Sequence, residues 1–245
     1  MVDASLLENI LKDDFTRQDI LRAAYLDDNS FKETQLRNLI SSLLNEKSIL
    51  RVGHNHYSKN NGTDLRHEYQ PTISEEASNV IKAIKEDYPF VKFQVLELRW
   101  LNEFLNHLVA RNTIFVNVEN DGCEFVYSSL RYSYDGIILL RPSIKEIEYY
   151  SDDNCVIVDR LVSESPLNDK NPNVSTLEKI IVDLFSNKAL MTMVSRGDYP
   201  AMLDNIFSKY QVNQSKLFRY ARRRNKSGEI KKYIKANTKI KLIEE

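Results

Sequence analysis

The sequence predicts a mixed α+β protein built from two units. A small helical unit ending in a hairpin comes first, and a larger α/β unit closed by a helical layer follows. Three observations predict this. Over the first sixty residues apolar side chains recur at helical spacing until two short strand-like runs appear. After a polar stretch, runs such as TIFVNVE and GIILL alternate with amphipathic segments. The last seventy residues return to helical periodicity. Six glycines and six prolines in 245 residues, with an ordinary apolar share, mark a chain that folds around a core.

The elements follow in order. Ser5–Leu11 reads as a short amphipathic helix. In FTRQDILRAAY, Thr16 stands at an N-cap position and Asp19 three residues on, so a capping box starts a helix at Arg17. The cluster Asp27, Asp28, Asn29 and Ser30 ends it. A third helix spans about Lys32 to Asn45, with Leu36, Leu39, Ile40, Leu43 and Leu44 on its buried stripe. Two strand-like runs, Ile49–Val52 and His56–Lys59, flank a turn at Gly53 and Asn55. Three helices and a hairpin within residues 1–60 give the order of a winged helix-turn-helix.

Opposite its leucines the third helix carries Thr34, Gln35, Asn38, Ser41 and Ser42, with Arg37 on the flank. These neutral side chains donate and accept hydrogen bonds, as base edges in a major groove require. Residues 61–72 form a polar linker ending in Pro71. From 73 to 245 the pattern predicts helices at Ser74–Glu86, Trp100–Ala110, Glu124–Tyr132 and Ser143–Tyr150. Strands fall at Phe90–Leu98, Thr113–Glu119, Gly136–Leu140 and Cys155–Val162. Closing helices fall at Ser175–Ser186, Tyr199–Tyr210, Gln214–Arg224 and Glu229–Ala236.

The formal net charge of −1 conceals an asymmetry. Residues 1–60 carry 8 Lys and Arg against 9 Asp and Glu, residues 61–206 carry 14 against 23, and residues 207–245 carry 12 against 3. In LFRYARRRNK, Leu217, Tyr220, Ala221 and Arg224 share one side of a helix, with Phe218 on its edge. Lys216, Arg219, Arg222, Arg223 and Lys226 share the other, and no acid of the same helix interleaves. Such a face suits phosphate oxygens, which it contacts without reading bases. The alternative is that the basic end folds onto the acidic middle.

Signatures of catalysis are sparse. The chain has no GxxxxGK[ST] loop, no GxGxxG turn and no GxSxG elbow. The histidines are His54, His56, His67 and His107, and HNH at the hairpin turn has no Cys or carboxylate beside it, so no metal site is expected. Glu229-Ile230-Lys231 matches half of a nuclease signature but falls in a terminal helix. Asp152 and Asp153 read as turn residues, and Glu119 and Asp159 as isolated strand carboxylates. No cofactor is implied. Cys123 and Cys155 have no CxxC partner and read as reduced thiols, and no apolar run nears the roughly 18 residues that span a bilayer. The expectation is a cytoplasmic protein that is not an enzyme.

The segments FTRQDILRAAYL and LRNLISSLLNEKSILRVGHNHYS resemble the winged-helix domain of AbiEi-type antitoxins of bacterial abortive-infection systems. SESPL, STLEKIIVDLFSN and NQSKLFRYARRR look like the C-terminal domain in a branch of those proteins. The resemblance implies a transcriptional repressor that binds double-stranded DNA at its own promoter. It also implies that the repressor counteracts a nucleotidyltransferase toxin encoded beside it, without a stable complex. Many relatives have an arginine-glycine turn in the wing, where this chain has His54, Asn55 and His56. The expected interface is therefore Thr34, Gln35, Asn38, Ser41 and Ser42 at bases. At phosphates it has Arg37, Arg51, His54, His56, Lys216, Arg219, Arg222, Arg223 and Lys226. A nuclease or nucleotidyltransferase with a degenerate signature, and a protein-interaction module, are the rival readings.

Overall fold

The structure, a computed structural model, describes residues 4–46, 48–53, 55–60, 67–105, 109, 111–150 and 154–243. It is a mixed α+β protein with two sheets. The first unit comprises α1 (Ala4–Glu8), β1 (Asp14–Thr16), α2 (Arg17–Asp27), α3 (Leu36–Asn45), β2 (Ile49–Gly53) and β3 (His56–Lys59). Strand β3 lies between β1 and β2, antiparallel to both. Phe15, Ile20, Leu36, Ile40, Leu43, Ile49 and Tyr57 are buried beneath that sheet. Phe15 and Tyr57, paired across β1 and β3, stack with ring centroids 6.4 Å apart.

The capping box at Thr16 is present: its side chain accepts from the Asp19 amide, and Asp19 accepts from the Thr16 amide at 2.8 Å. These Thr16 hydrogen bonds hold the Asp19 carboxyl below the usual carboxylate range. The cap therefore contributes fully above that range and is lost as pH falls through Asp19's lowered pKa. Thr16→Ala is expected to cost about 0.5–2 kcal/mol at neutral pH, read by chemical denaturation. The difference between the two proteins should shrink in acid.

Two expectations for this unit change. Strand β1 was not visible in the sequence, because three residues carry no alternation and the strand exists only through its pairing with His56–Ser58. Helix α3 starts at Leu36, not Lys32. Residues Glu33–Gln35 form a 3-10 turn, because the Gln35 side chain accepts from the Lys32 amide at 2.8 Å and closes the chain there.

The second unit holds α4 (Glu75–Asp87), β4 (Phe93–Glu97), β5 (Thr113–Val118), α5 (Cys123–Ser133), β6 (Ile137–Leu140), α6 (Ile144–Tyr149) and β7 (Cys155–Arg160). It continues with α7 (Leu177–Leu184), α8 (Lys188–Met193), α9 (Tyr199–Lys209), α10 (Gln214–Arg223) and α11 (Ser227–Asn237). Sheet order is β4-β5-β7-β6, with β4 antiparallel to β5 and the other pairs parallel. Helices α4 and α5 cover one face through Val80, Ile84, Val126 and Leu130. The other face packs Leu96, Phe115 and Ile157 against the later helices through Ile180, Leu184 and Leu217. Burial on both faces explains why β5 and the start of β7 read as nearly unbroken apolar runs.

Where a helix was expected from Trp100 to Ala110, residues Leu98–Glu103 form a 3-10 segment, and residues 106–108 and 110 lie outside the described residues. Asn102 accepts from the Val109 amide at 2.7 Å and donates to the Val109 carbonyl at 3.3 Å, bonds that compete with helical hydrogen bonding after the 3-10 segment. Helix α8, missed in the sequence, is capped by Asn187, which accepts from the amides of Ala189 and Leu190. Of the stretch read as a linker, residues 61–66 lie outside the described residues. The rest sits on the second unit: His67 exchanges main-chain hydrogen bonds with Lys209 and Gln211, and Tyr69 is buried in its core.

Candidate nucleic-acid interface

Helix α10 is fixed from below. Leu217, Phe218, Tyr220 and Ala221 are buried, as the helical wheel predicts. Asn213 caps the helix by accepting from the Lys216 amide at 3.0 Å, and its own amide donates to Glu178 at 2.8 Å. The Tyr220 hydroxyl donates to Asp183 at 3.1 Å, and Asp183 pairs with Lys179, which also donates to Asn117 at 2.6 Å. Burial, reinforced by Asp183, raises the Tyr220 pKa, so the phenol stays a donor. Arg224 turns inward, where its guanidinium donates to the Ser186 hydroxyl and carbonyl at 2.9 Å each. It clamps the end of α7 and takes no part in the outer face.

The outer face is less free of acids than the helix alone suggests. Arg219 lies 3.6 Å from Glu164, and Lys216 lies 3.9 Å from Asp169. Both acids come from the loop after β7, and Glu164 holds a left-handed backbone (φ 64°). Arg223 donates to Ser163 at 2.6 Å. Lys226 is held by Glu229 at 2.7 Å, and Glu229 also takes Arg196 at 3.0 Å. The hydrogen bond from Lys226, then that from Arg196, keeps the Glu229 carboxyl ionised below its ordinary range. The Arg219 and Lys216 pairs are long and solvent-exposed, so each contributes about 0–1 kcal/mol and yields readily to a stronger anion.

Two groups of cations far apart in sequence meet here. Helix α10 packs beside β2. An open cleft of about 520 Å³ runs between them, lined by Arg51 and His56 of the hairpin and by Lys216, Arg219 and Arg222 of α10. Arg51 rests over the Tyr57 ring, 5.7 Å from its centroid. It also lines a second cleft, of about 390 Å³, with Arg17, Arg37 and Ser41. A third, of about 600 Å³, joins His56 to Arg17 and Gln18. Arg51 joins the first cleft to the second, Arg17 the second to the third and His56 the third to the first, so one surface rich in arginine continues from α3 across the hairpin to α10.

Arg17 was not foreseen as part of this surface. It starts α2, and its amide donates to the Asn55 carbonyl at 2.8 Å, which brings the helix start to the hairpin tip. Asn55 itself adopts a left-handed backbone (φ 57°), as a tight turn requires.

The expected base-reading residues divide. Thr34, Gln35, Asn38 and Ser41 are exposed, but Thr34 and Gln35 belong to the 3-10 turn before α3. The Gln35 carbonyl oxygen is engaged in the cap and leaves its amide nitrogen to donate. Ser42 is half-buried and donates to Glu46 at 2.9 Å. Arg223 and Lys226 do not line the shared cleft. His54 lies outside the described residues.

Among the described residues no cluster of three or more His, Cys, Asp or Glu side chains is placed to hold a metal ion. Glu229 is committed to Lys226 and Arg196, and Asp152 and Asp153 lie outside the described residues. Glu119 accepts from the Lys92 amide and Asp159 from the Arg160 amide. Cys123 and Cys155 are buried and form no disulfide. No described helix is long and apolar enough to cross a membrane.

A model of a family of unknown function, DUF6577, matches residues 35–240, most of the chain, and the protein belongs to that family. No curated protein matches it.

Proposed function

We propose that this member of a family without an assigned function is a repressor that binds double-stranded DNA at its own promoter. On this reading residues 1–60 are a winged helix-turn-helix. Helix α3 enters the major groove and β2–β3 is the wing. The observation that carries the reading is the cleft in which Arg51 and His56 face Lys216, Arg219 and Arg222. Cations from both ends of the chain converge on one surface, next to a helix whose exposed side chains suit base edges. Phosphates along the cleft would replace the long contacts to Glu164 and Asp169, and Arg supplies several donors in a fixed fork for such oxygens.

Asn38 and Ser41 are the central readers, because they are exposed on α3 and make no local bond among the described residues of the kind that engages Gln35 and Ser42. Arg17, Arg37 and Arg51 flank them at the backbone. Gel shifts with DNA from immediately upstream of the gene and with a scrambled duplex test the proposal. Preference for the upstream duplex is expected, and equal affinity for both would remove sequence-specific repression. Asn38→Ala should cost about 1–3 kcal/mol on the preferred site and little on scrambled DNA. A uniform loss would mean that α3 is not the reader.

The resemblance to AbiEi-type antitoxins extends the proposal: the repressor also counteracts a neighbouring nucleotidyltransferase toxin without holding it in a stable complex. Co-expression with the product of the adjacent gene should relieve its growth arrest. Arrest that persists while promoter binding is intact would remove the antitoxin role and leave the repressor.

A further inference from the structure

The loop that follows β7 lies along the cationic helix. From Ser163 to Asp169 it meets α10 at three successive levels: the Ser163 hydroxyl accepts from Arg223, Glu164 pairs with Arg219, and Asp169 with Lys216. These helix partners are four and three residues apart, so they stand on one face, about one turn below another. The loop runs in the opposite direction to the helix. Its course is fixed from beneath by Gln94 of β4, which is wholly buried. Gln94 donates to the Pro166 carbonyl at 2.8 Å and accepts from the Ser165 hydroxyl at 2.6 Å. Farther on, Asn168 accepts from the amides of Lys170 and Asn171 at 2.9 and 3.1 Å, and Lys170 pairs with Glu68 at 2.6 Å. Ahead of the Gln94 fastening, Glu164 holds its left-handed backbone (φ 64°), a conformation that favours glycine. The chain places a carboxylate there, against Arg219.

We propose that residues 163–169 form an autoinhibitory strap, whose carboxylates hold the places on Arg219 and Lys216 that phosphates of a nucleic acid take. The inference rests on the reading of this face as a nucleic-acid surface and adds its regulation. The Glu164 and Asp169 side chains are each more than half exposed, so they swing aside while Gln94 keeps the strap fastened. A single small anion replaces one contact and leaves the other in place. A chain of linked phosphates replaces both at once, because the second contact is made at high effective concentration. The strap therefore holds affinity down and reserves the face for polymeric anions.

The test combines Glu164→Gln with Asp169→Asn in the full chain and measures binding to a scrambled duplex and the salt needed to elute the protein from heparin. The double variant should bind the duplex about three- to tenfold more tightly than the unmodified protein. Its log–log salt slope should be steeper, because mobile counterions then take the places of the tethered carboxylates and are released. Elution from heparin should need more salt. Glu68→Gln is the control: Glu68 shares a neighbouring cleft of about 200 Å³ with Asp169 and Lys216, but its partner is Lys170. It makes the same unit change in charge as Glu164→Gln without freeing α10, so its effect should be clearly smaller. An equal gain from Glu68→Gln and from Glu164→Gln alone overturns the strap, since the gain is then general repulsion. Unchanged affinity of the double variant for both duplex and heparin overturns it too. Tighter heparin binding by a double variant that, like the unmodified protein, ignores DNA upholds the strap and removes the DNA reading.

Discussion

Replacing Lys179 by Met is expected to destabilise the second unit by about 3–5 kcal/mol, the largest effect of any single change considered. Lys179 is 2% exposed and Asp183 3%, and they pair one helical turn apart on α7. Without the ammonium, the Asp183 carboxylate stays buried with the Tyr220 hydroxyl as its remaining side-chain partner among the described residues, and Asn117 loses its donor. The cost comes from the stranded charge, so Lys179→Met combined with Asp183→Leu should recover most of the loss. Chemical denaturation of the three variants checks this. A single-variant loss under about 1 kcal/mol would mean that water reaches the pair. Since Tyr220 roots α10 on Asp183, the single variant should also loosen the helix that carries the cationic face.

The second large effect concerns that face itself. Charge reversal of Arg51, Arg219 and Arg222 together should weaken binding at least about a hundredfold, on specific and scrambled duplexes alike. The slope of log affinity against log salt should fall by about 1 for each lost phosphate contact. All three side chains are exposed, and the Arg219–Glu164 pair is long, so the change in stability should be small beside the loss of binding. Arg223→Glu serves as the comparison. Arg223 is bound to Ser163 and does not line the shared cleft, so its reversal should act less. If Arg223 matters as much as Arg222, the DNA path runs along the helix flank and not through the cleft.

Local chemistry in this chain could be read from sequence, and non-local chemistry could not. Thr16 and Asp19 announced the start of α2 because a capping box is complete within four residues. The apolar run from Thr113 to Val118 announced a doubly buried strand, and the wheel from Lys216 to Arg224 placed the buried and charged sides of α10 correctly. The helical pattern starting at Trp100 misled over its first residues, because Asn102 bonds the Val109 backbone seven residues away, a contact that no local spacing announces. The use of Gln35 as a backbone cap was not legible in the sequence, because it depends on how the chain enters α3.

The candidate site follows the same division. Arg219 and Arg222 were legible as one face, whereas their meeting with Arg51 and His56 depends on how α10 packs beside β2, more than 150 residues away in sequence. Glu164 and Asp169 were visible as acids, but no spacing rule placed them against that helix. Arg17 joined the surface only through the Asn55 carbonyl. Lys179 and Asp183 stand at ion-pair spacing in the sequence, yet spacing does not reveal that both are buried.

The most direct test of the cationic surface is equilibrium binding of the unmodified protein to a duplex across a salt series, read by fluorescence anisotropy. The four lysine and arginine side chains on the main cleft, Arg51, Lys216, Arg219 and Arg222, predict a log–log slope of about −3.6 when each meets a phosphate, from roughly −0.9 per contact. A slope near zero, or no binding at low salt, would contradict the account and assign the cleft to a partner other than DNA.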